Sequence, residues 1–378
     1  MTPAASVVIA AHQAAAFVRD AVASALAQTR GDIEVVAVDD ASTDGTWEIL
    51  RECAERDRRV VPLRQPRQGG PSAARNAAIE RARGRWIAVL DADDLFLPNR
   101  LERMVAHAEA VGADLLADDL LKLDFATGAA LGRCFGPGGP DHPGPLPLAE
   151  LVRRDMPGMA GCAKLGFLQP IVRRDFLAAR GLRYAEDVRA GEDFLLYFEC
   201  VARGGRFHLL PEAHYVYRLR GESVSNARTT APHLSAANRR MARAAAGMGD
   251  ADLSALLRRR QGLLDLDTFA LAVERGWVGT ALRHARYGEP DALLRQARVA
   301  GGAVRRRLAA WGAARNGGRP GRLSGPARDP SSQTQREQAQ AQARPGAAPG
   351  AAPGPGGPGR AVPAPRPCNP ARRAQLPE

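Results

Sequence analysis

Residues 33–50, IEVVAVDDASTDGTWEIL, join a predicted strand to a predicted helix through a polar loop. The run IEVVAV (33–38) is apolar and rich in β-branched residues, which predicts a buried strand, and TWEILRECAERD (46–57) has the apolar spacing of an amphipathic helix. The same alternation extends in both directions, with strands or helices predicted at 6–11, 17–26, 59–63, 71–82 and 86–90. This alternation predicts an α/β fold, in which a mainly parallel sheet is covered by helices on both faces.

Carboxylates follow two of these strands at the point where each strand ends. The pair Asp39 and Asp40 follows the second strand, and the group Asp91, Asp93 and Asp94 follows the fourth. Ligands of such sheets bind beyond the carboxyl ends of the strands, so both groups are expected at one edge. Because neighbouring carboxylates raise each other's pKa, the second group needs a compensating cation, backbone N–H donors or solvent.

Asp91 and Asp93 form an Asp-x-Asp pattern (the DxD motif) that fits a divalent cation. Alternate residues of an extended segment point the same way, so these two side chains can converge on one ion. Their oxygen ligands suit Mg²⁺ or Mn²⁺, which keep positions open for water and phosphate oxygens. In the other group, Asp44 is predicted to start the next helix, whereas one of Asp39 and Asp40 is available to accept a hydrogen bond from a nucleobase imide.

A third acidic pair opens the predicted helix in AGEDFLLYFECVARGGRF (190–207). Two roles are open for Glu192 and Asp193. They complement the positive end of the helix dipole, or one of them serves as a general base. A carboxylate at a helix start is expected to stay ionised, as a base for a sugar hydroxyl requires.

Charge is spread unevenly along the 378 residues. From residue 301 onward there are 13 arginines against one aspartate and two glutamates, so +10 of the net charge of +12 lies in this segment. The segment lacks interleaved aromatic residues, so the sequence predicts no specific nucleic-acid partner. Five scattered cysteines without a CxxC pattern argue against a disulfide framework or zinc site and indicate a cytoplasmic protein. The sequence shows neither a secretory signal nor an apolar run long enough to span a membrane.

Composition divides the chain into three predicted parts. Residues 1–228 hold the α/β pattern, with a Gly- and Pro-rich loop or insertion at 126–147. Residues 229–316 form a helical C-terminal extension that is rich in Ala, Arg and Leu. Residues 317–378 are rich in Pro, Gly, Ala and Arg with almost no large apolar side chain, which predicts a disordered tail.

The three acidic clusters, in this order and spacing, resemble the family 2 glycosyltransferases, which are inverting bacterial enzymes with the GT-A fold. The resemblance covers residues 4–228 and is carried by SVVIAAHQAAAFVRDAVASALAQT, IEVVAVDDASTDGTWEIL, GGPSAARNAAIERARGRWIAVLDADD and RAGEDFLLYFECVARGGRFHLLPEAHYVYRLRGESVS. It implies a metal-dependent inverting transfer from a nucleotide-sugar, UDP-linked by expectation, to a hydroxyl of a glycan or lipid-linked acceptor. The implied setting is exopolysaccharide or cell-envelope polysaccharide synthesis in the cytoplasm, with a possible peripheral position at the inner membrane face.

The resemblance also implies a role for each matching residue. Asp193 is the expected catalytic base, with Glu192 beside it. Asp93 is expected to contact the Mn²⁺ or Mg²⁺ cofactor, and Asp91 the metal or the ribose. The expected nucleotide-sugar site comprises Ala10 and Ala11 at the nucleoside, Asp39 or Asp40 at the uracil and ribose, Arg75 at the nucleoside or its phosphates, and Tyr217, Arg218, Ser223 and Ser225 in a loop over the diphosphate.

Two positions depart from the family pattern. Many members have Pro-x-Tyr-Asn after the first strand, where this chain has Ala10, Ala11, His12 and Gln13. His214 stands where an apolar residue is expected, either as a hydrogen-bonded residue of the fold or as a third metal ligand.

Other functions remain as alternatives. A sugar nucleotidyltransferase has a similar sheet but usually carries a Gly-rich basic loop after its first strand, where this chain has AAHQAAAF. A glycosidase needs two carboxylates but no diphosphate site. A non-catalytic protein could bind nucleic acid or an anionic membrane through the Arg-rich C-terminus, including VRRRLAAWGAARN (304–316).

Overall fold

The computed structural model describes residues 2–135, 143–157, 165–220 and 227–275, together with positions 280 and 301. The strands in these residues are β1 (Ala5–Ala11), β2 (Ile33–Asp39), β3 (Val60–Arg64), β4 (Trp86–Val89), β5 (Leu95–Phe96), β6 (Leu115–Asp124), β7 (Ala130–Arg133), β8 (Gly144–Pro145), β9 (Ile171–Arg173) and β10 (Phe207–Leu219). The helices are α1 (Val18–Leu26), α2 (Thr46–Arg56), α3 (Pro71–Arg81), α4 (Arg100–Val111), α5 (Leu148–Arg154), α6 (Arg174–Arg180), α7 (Glu192–Ala202), α8 (Ala227–Gly247) and α9 (Ala251–Arg275).

The described strands form one sheet in the order β3-β2-β1-β4-β9-β6-β10-β5, with β7 beside β6 and β8 beside β10. The strands β3, β2, β1 and β4 are parallel neighbours. The short strand β9 runs antiparallel between β4 and β6, and β10 is parallel to β6. The predicted α/β class with a mainly parallel sheet and flanking helices is therefore confirmed.

Burial on both faces explains why the first strands read as continuous apolar runs. Every residue of β2 and β4 is buried, as are all residues of β1 except the half-buried Ala10. Two faces covered by helices leave no exposed side for alternating polar residues. The helix predicted to open at Pro71 does so, because the fixed φ of proline suits a first helical residue.

Two features of the sheet were not predicted. The segment predicted as a loop at 126–147 contains the short antiparallel strand β7, and β8 pairs with β10; residues 136–142 lie outside the described part. Strand β10 also changes register between Leu209 and Tyr215, around Pro211. Proline lacks the N–H that a regular ladder needs, so it lies in the irregular stretch.

Helices α8 and α9 pack against each other, α8 also packs on α7, and α9 on α5. Their buried residues Ala237, Met241, Leu253 and Leu257 belong to the same apolar core as the sheet. Residues 227–275 are thus helical and packed. The boundaries at 228 and 316 stay predictions, and the tail predicted at 317–378 lies outside the described residues. In the described part of the chain, no helix is both long enough and apolar enough to cross a bilayer.

Candidate active site

The two carboxylate groups of the sequence lie at the same edge of the sheet. Strand β1 pairs in parallel with β2 on one side and with β4 on the other. The segment after β2 therefore lies one strand away from the segment after β4. The sheet thus brings Asp39 and Asp40 to the same side of the molecule as the DxD motif.

Asp40 is engaged by the backbone. Its Oδ1 accepts a hydrogen bond from the Gly69 N–H at 2.7 Å, and its Oδ2 accepts one from the Gly70 N–H at 2.8 Å. Gly70 has a φ of +86°, and a Cβ at Gly69 would lie 2.9 Å from the Cβ of Ala73. Glycine is needed at both positions, and Asp40 holds the turn that starts α3.

Asp39 is fully buried, and only one of its oxygens is hydrogen-bonded within the described residues. Oδ1 accepts the Ser42 N–H at 3.2 Å, whereas Oδ2 lies 3.2 Å from the Arg64 Nε without a hydrogen bond. An unsatisfied buried acceptor is costly unless a ligand completes it. Of the two aspartates that the sequence leaves open, Asp39 is therefore the one with an oxygen available to a ligand.

Ala10 and Ala11 end β1 beside this aspartate, and Ala11 is in register with Asp39. The following residues connect the loops after β1 and β2. His12 Nδ1 lies 2.8 Å from the Asp40 carbonyl oxygen, and the Gln13 N–H donates to the Ser42 hydroxyl at 3.0 Å. Gln13 and Ala41 both have positive φ, of 50° and 54°. Strained non-glycine residues of this kind cluster at functional sites.

Arg75 is the centre of the charged site. It lies on α3 and is almost fully buried. Its Nη2 donates to Asp91 Oδ1 at 2.8 Å, and its Nη1 donates to Asp193 Oδ1 at 3.0 Å and Glu192 Oε1 at 3.4 Å. One guanidinium therefore joins the DxD motif to the acidic pair of α7, two groups that are distant in the sequence.

The DxD loop has a different partner for each carboxylate. The second oxygen of Asp91 accepts a hydrogen bond from Gln169 Nε2 at 3.1 Å. Asp93 Oδ2 lies 2.5 Å from Arg220 Nη2, and the Asp93 carbonyl accepts a hydrogen bond from Arg218 Nε. Asp93 is thus held by arginines of the chain segment that ends β10.

Asp94 is the buried member of this group. It accepts the Tyr215 hydroxyl at 2.9 Å and the Arg218 N–H at 2.8 Å. Burial and the neighbouring charge of Asp91 raise the pKa of Asp94 well above its usual range, and they also raise the pKa of Asp93. Burial is the larger cause of these shifts, and the repulsion expected of three close carboxylates adds to it, so added positive charge is stabilising here.

The charge balance of the cluster suits a divalent cation. Five carboxylates (Asp91, Asp93, Asp94, Glu192 and Asp193) lie against three guanidinium groups (Arg75, Arg218 and Arg220). Because the carboxylates outnumber the guanidinium groups, full ionisation of the cluster requires additional positive charge. In the described part of the chain, no three His, Cys, Asp or Glu side chains form a complete metal cage. Mg²⁺ and Mn²⁺ need only one or two protein carboxylates when water and phosphate oxygens complete the shell, so the donor set fits them.

Asp193 is the second residue of α7, and the φ of +79° at Gly191 turns the chain into this helix. Burial raises the pKa of Asp193 to about 7, with Glu192 and Asp91 adding to the shift and Arg75 and a hydrogen bond to Tyr184 opposing it. The sequence predicts a carboxylate that stays ionised through its place at a helix start. The structure corrects this, because desolvation outweighs the helix dipole at a buried position.

The diphosphate loop of the family resemblance is described only in part. Arg218 is largely buried, with its guanidinium 5.2 Å from the Phe125 ring centre, and the Tyr217 ring lies 6.1 Å from that of Phe167. Ser223 and Ser225 lie outside the described residues. Of this group, the structure therefore brings Arg218 to the DxD loop and leaves the two serines without a described position.

His214 belongs to a buried ionic cluster under the site. Its Nδ1 lies 3.7 Å from Asp118, and Asp118 is paired with the fully buried Arg100 at 2.8 Å. The Arg100 guanidinium also donates to the Gln169 carbonyl oxygen at 2.5 Å and lies 5.2 Å from the Tyr215 ring centre. The sequence left two roles open for His214, and these contacts favour a structural role in the fold over that of a third metal ligand.

Sequence reasoning did not identify four residues that contact the charged site: Gln169, Tyr184, Tyr215 and Arg220. Tyr215 had a signal, since it alternates with Tyr217 along β10 and period 2 places both on one face of the strand. Arg220 had a signal as well, because it follows a buried strand in the same way as the acidic clusters. The roles of Gln169 and Tyr184 depend on loops whose positions no local pattern predicts.

Residues 6–122 match the family model described as Glycosyl transferase family 2. The matched segment includes Asp39, Arg75 and the DxD motif and ends before α7. The Rhizobium meliloti (strain 1021) succinoglycan biosynthesis protein ExoO is 40% identical to this chain over 227 residues, which are 58% of this chain and 61% of ExoO. The succinoglycan biosynthesis protein ExoU of the same strain is 37% identical over 229 residues, 59% of this chain and 64% of ExoU. The matches thus span less than two thirds of either relative.

Solved structures share the fold at low sequence identity. S. aureus TarS 1–349 in complex with UDP-GlcNAc has a TM-score of 0.58 at 19% identity, covering 74% of this chain and 79% of that one. The mannosyltransferase PcManGT from Pyrobaculum calidifontis, in complex with GDP-Man and Mn²⁺, has a TM-score of 0.50 at 20% identity, covering 82% and 83%. The family model over residues 6–122 agrees with the resemblance that the three acidic clusters indicate, and the solved structures show that the chain has a GT-A-like fold.

Proposed function

We propose that this protein is a metal-dependent, inverting glycosyltransferase. It transfers a sugar from a UDP-linked donor to a hydroxyl of a glycan or a lipid-linked sugar. The observation that carries the proposal is the position of Arg75, which contacts Asp91 of the DxD motif and both acids at the start of α7. This one buried guanidinium brings a candidate donor-binding group and a candidate base, which are distant in the sequence, to the same site.

The nucleoside is proposed to lie at the ends of β1 and β2. The Asp39 Oδ2 has no hydrogen bond within the described residues and suits the imide N–H of uracil, while the small side chains of Ala10 and Ala11 leave room for the ring. Arg75 and Arg218 are proposed as charge-assisted donors for the diphosphate. This division assigns Asp40 to the fold, through its two bonds to the glycine turn.

The proposed base is Asp193, which accepts the proton of the acceptor hydroxyl as that oxygen attacks the anomeric carbon from the side opposite the diphosphate. This displacement inverts the anomeric centre. A pKa of about 7 suits the task, because a base is most effective when its pKa is close to the working pH. Arg75 and Tyr184 orient the carboxylate, and positioning of the two substrates supplies much of the remaining acceleration.

Asp93 and Asp91 are proposed to hold Mn²⁺ or Mg²⁺. When bound, such an ion acts as a Lewis acid that stabilises the charge developing on the leaving diphosphate. The raised pKa of Asp93 and the excess of carboxylates over guanidinium groups in the cluster support this assignment.

The setting is proposed from the relatives. ExoO and ExoU are succinoglycan biosynthesis proteins by name, so we place this chain in exopolysaccharide or cell-envelope polysaccharide synthesis. A lipid-linked acceptor would bring the enzyme to the cytoplasmic face of the plasma membrane. Binding to anionic vesicles in a flotation assay tests this position, and failure to float with them would exclude it.

A thermal-shift screen with nucleotide-sugars in the presence and absence of Mn²⁺ tests the donor assignment. Stabilisation follows ligand affinity and reaches about 2.7 kcal/mol at about 100 times Kd. We expect UDP-sugars with Mn²⁺ to raise the Tm by several degrees and GDP-sugars to raise it less. Equal shifts with either nucleotide, or none with any, would contradict the assignment of uracil to Asp39.

Asp193→Asn tests the base separately from donor binding. The variant keeps the donor-dependent thermal shift and loses transfer by about a thousandfold or more, since general bases contribute about 10²–10⁴. Transfer is measured as sugar incorporated into lipid-linked acceptor extracted from membranes. Glu199→Gln is the control, because it also replaces an acid of α7 by its amide, and it is expected to retain transfer. Wild-type turnover by Asp193→Asn would remove this residue from the role.

A further inference from the structure

Arg220 forms the closest ion pair of the DxD loop. It directly follows β10, and its Nη2 lies 2.5 Å from Asp93 Oδ2. The two side chains are 37% and 28% exposed, so the pair lies at the open side of the site. The oxygen that Arg220 occupies belongs to the carboxylate that is proposed above as the principal metal ligand.

Arg218 and Arg220 are held in different ways although only one residue separates them. Arg218 is 12% exposed, and both its backbone N–H and its Nε are bonded to the DxD loop. The described contacts of Arg220 are with Asp93 and with the face of the Phe17 ring, 4.7 Å from its centre. Arg220 lies beyond the sheet ladder and is the more accessible of the two, so it can leave Asp93 without breaking a strand.

A divalent cation at the Asp93 carboxylate competes with the guanidinium of Arg220. The pair already takes Oδ2 at hydrogen-bond distance, and two positive groups at one oxygen repel each other strongly. Arg220 therefore supplies, in the protein alone, the positive charge that a metal would supply with a bound nucleotide. A displaced guanidinium in this position has one strong new partner, the diphosphate that arrives with the metal.

We propose that Arg220 neutralises Asp93 until a divalent cation displaces it, and that it then binds the diphosphate of the donor. The proposal rests on the metal and donor sites of the proposed function. It has two consequences of opposite sign. Removal of Arg220 strengthens the binding of the metal alone, because the competitor is gone, and weakens the binding of the nucleotide with metal, because one phosphate contact is lost.

The first measurement is the affinity of the purified protein for Mn²⁺ without nucleotide, by calorimetry or by the electron paramagnetic resonance of free Mn²⁺. We expect Arg220→Gln to bind Mn²⁺ about threefold more tightly or better, the range for a partly exposed ion pair. Arg220→Lys keeps the charge and stays near the wild-type affinity. Arg183→Gln removes an equally charged group from the exposed pair with Glu80 and leaves the affinity unchanged.

The second measurement is the affinity for UDP at saturating Mn²⁺, which we expect to be about tenfold weaker in Arg220→Gln, as for the loss of one charge-assisted hydrogen bond. An unchanged or weaker Mn²⁺ affinity in Arg220→Gln overturns the proposal, and so does an unchanged UDP affinity. The wild-type protein separates this failure from that of the proposed function. If UDP-sugars with Mn²⁺ still stabilise it, the donor site stands and only the role of Arg220 is wrong.

Discussion

Arg75 contacts three carboxylates, one of which lies 118 positions away along the chain. Its side chain is 6% exposed, and burial of so many charges without this cation would be costly. The same contacts set the protonation of the proposed base, because Arg75 opposes the effect of burial on the pKa of Asp193. At the scale of single residues, one guanidinium therefore positions the acidic pair and opposes the effect of burial on the pKa of Asp193.

The pH dependence of transfer follows from this arrangement. Asp193 must be deprotonated to accept a proton, and its pKa is about 7, so we expect kcat/KM to fall about tenfold per unit as the pH drops below about 7. Arg75→Gln removes the charge that lowers this pKa and therefore moves the fall to higher pH. The measurement is kcat/KM from pH 5.5 to pH 9 in both proteins.

Arg183→Gln is the matched control for this prediction, since Arg183 lies in an exposed ion pair with Glu80. Its profile is expected to overlay that of the wild-type protein. An acidic fall at the same pH in Arg75→Gln would assign the titrating group to a residue other than Asp193.

At the scale of elements, α4 and β6 support the DxD loop through the buried ion pair between Arg100 of α4 and Asp118 of β6. Arg100 binds the backbone of Gln169, and the Gln169 side chain holds Asp91. The Arg100 guanidinium also lies over the Tyr215 ring, and the Tyr215 hydroxyl holds Asp94. Arg100 thus supports the DxD loop through two separate residues, Gln169 and Tyr215. Its charge also lowers the pKa of Asp118 against the effect of burial.

Arg100→Met should reduce the free energy of unfolding by about 3–5 kcal/mol, because it leaves Asp118 buried without its cation. The double variant Arg100→Met/Asp118→Leu should recover most of this loss, since no uncompensated charge remains. Urea unfolding measures both. Arg103→Met, on the same helix and 58% exposed, is the control and changes stability by less than about 1 kcal/mol. A double variant no more stable than Arg100→Met would contradict the electrostatic explanation.

At the scale of the described molecule, the C-terminal helices α8 and α9 are joined to α7, which carries the proposed base, by another buried arginine. Arg260 of α9 is 3% exposed and pairs with Asp155 at 2.6 Å. It donates to Asn238 of α8 at 3.1 Å and lies 4.9 Å from the Phe194 ring centre. Phe194 follows the proposed base directly, so the helical region beyond the family match supports the position of Asp193.

We expect Arg260→Met to lose about 3–5 kcal/mol of the free energy of unfolding, because Asp155 would be left largely buried without its cation. We also expect kcat to fall more than the donor affinity, since α7 holds the base and not the nucleoside. Urea unfolding and steady-state kinetics measure the two effects. Arg240→Met removes an arginine that is 41% exposed and serves as the control. Equal behaviour of the two variants would show that α9 does not support α7 through this contact.

The amino-acid sequence by itself determined the α/β class and the candidate clusters. Continuous β-branched runs such as IEVVAV encode strands buried on both faces, and polar residues directly after them encode the ligand edge. These signals are local, because each depends on residues within a few positions of one another. For the same reason the sequence indicated Asp39 or Asp40, the Asp91 and Asp93 pair, and the acidic pair Glu192 and Asp193 by residue type and spacing.

The tertiary structure decided how those clusters are used. Asp40 belongs to a glycine turn, the charge on Asp193 is set by burial and by Arg75, and Asp93 is paired with Arg220. Each of these facts depends on which distant residue lies within a few ångströms and on how much water is excluded. Electrostatic free energies depend on those distances and on the local dielectric, which only the packed chain establishes.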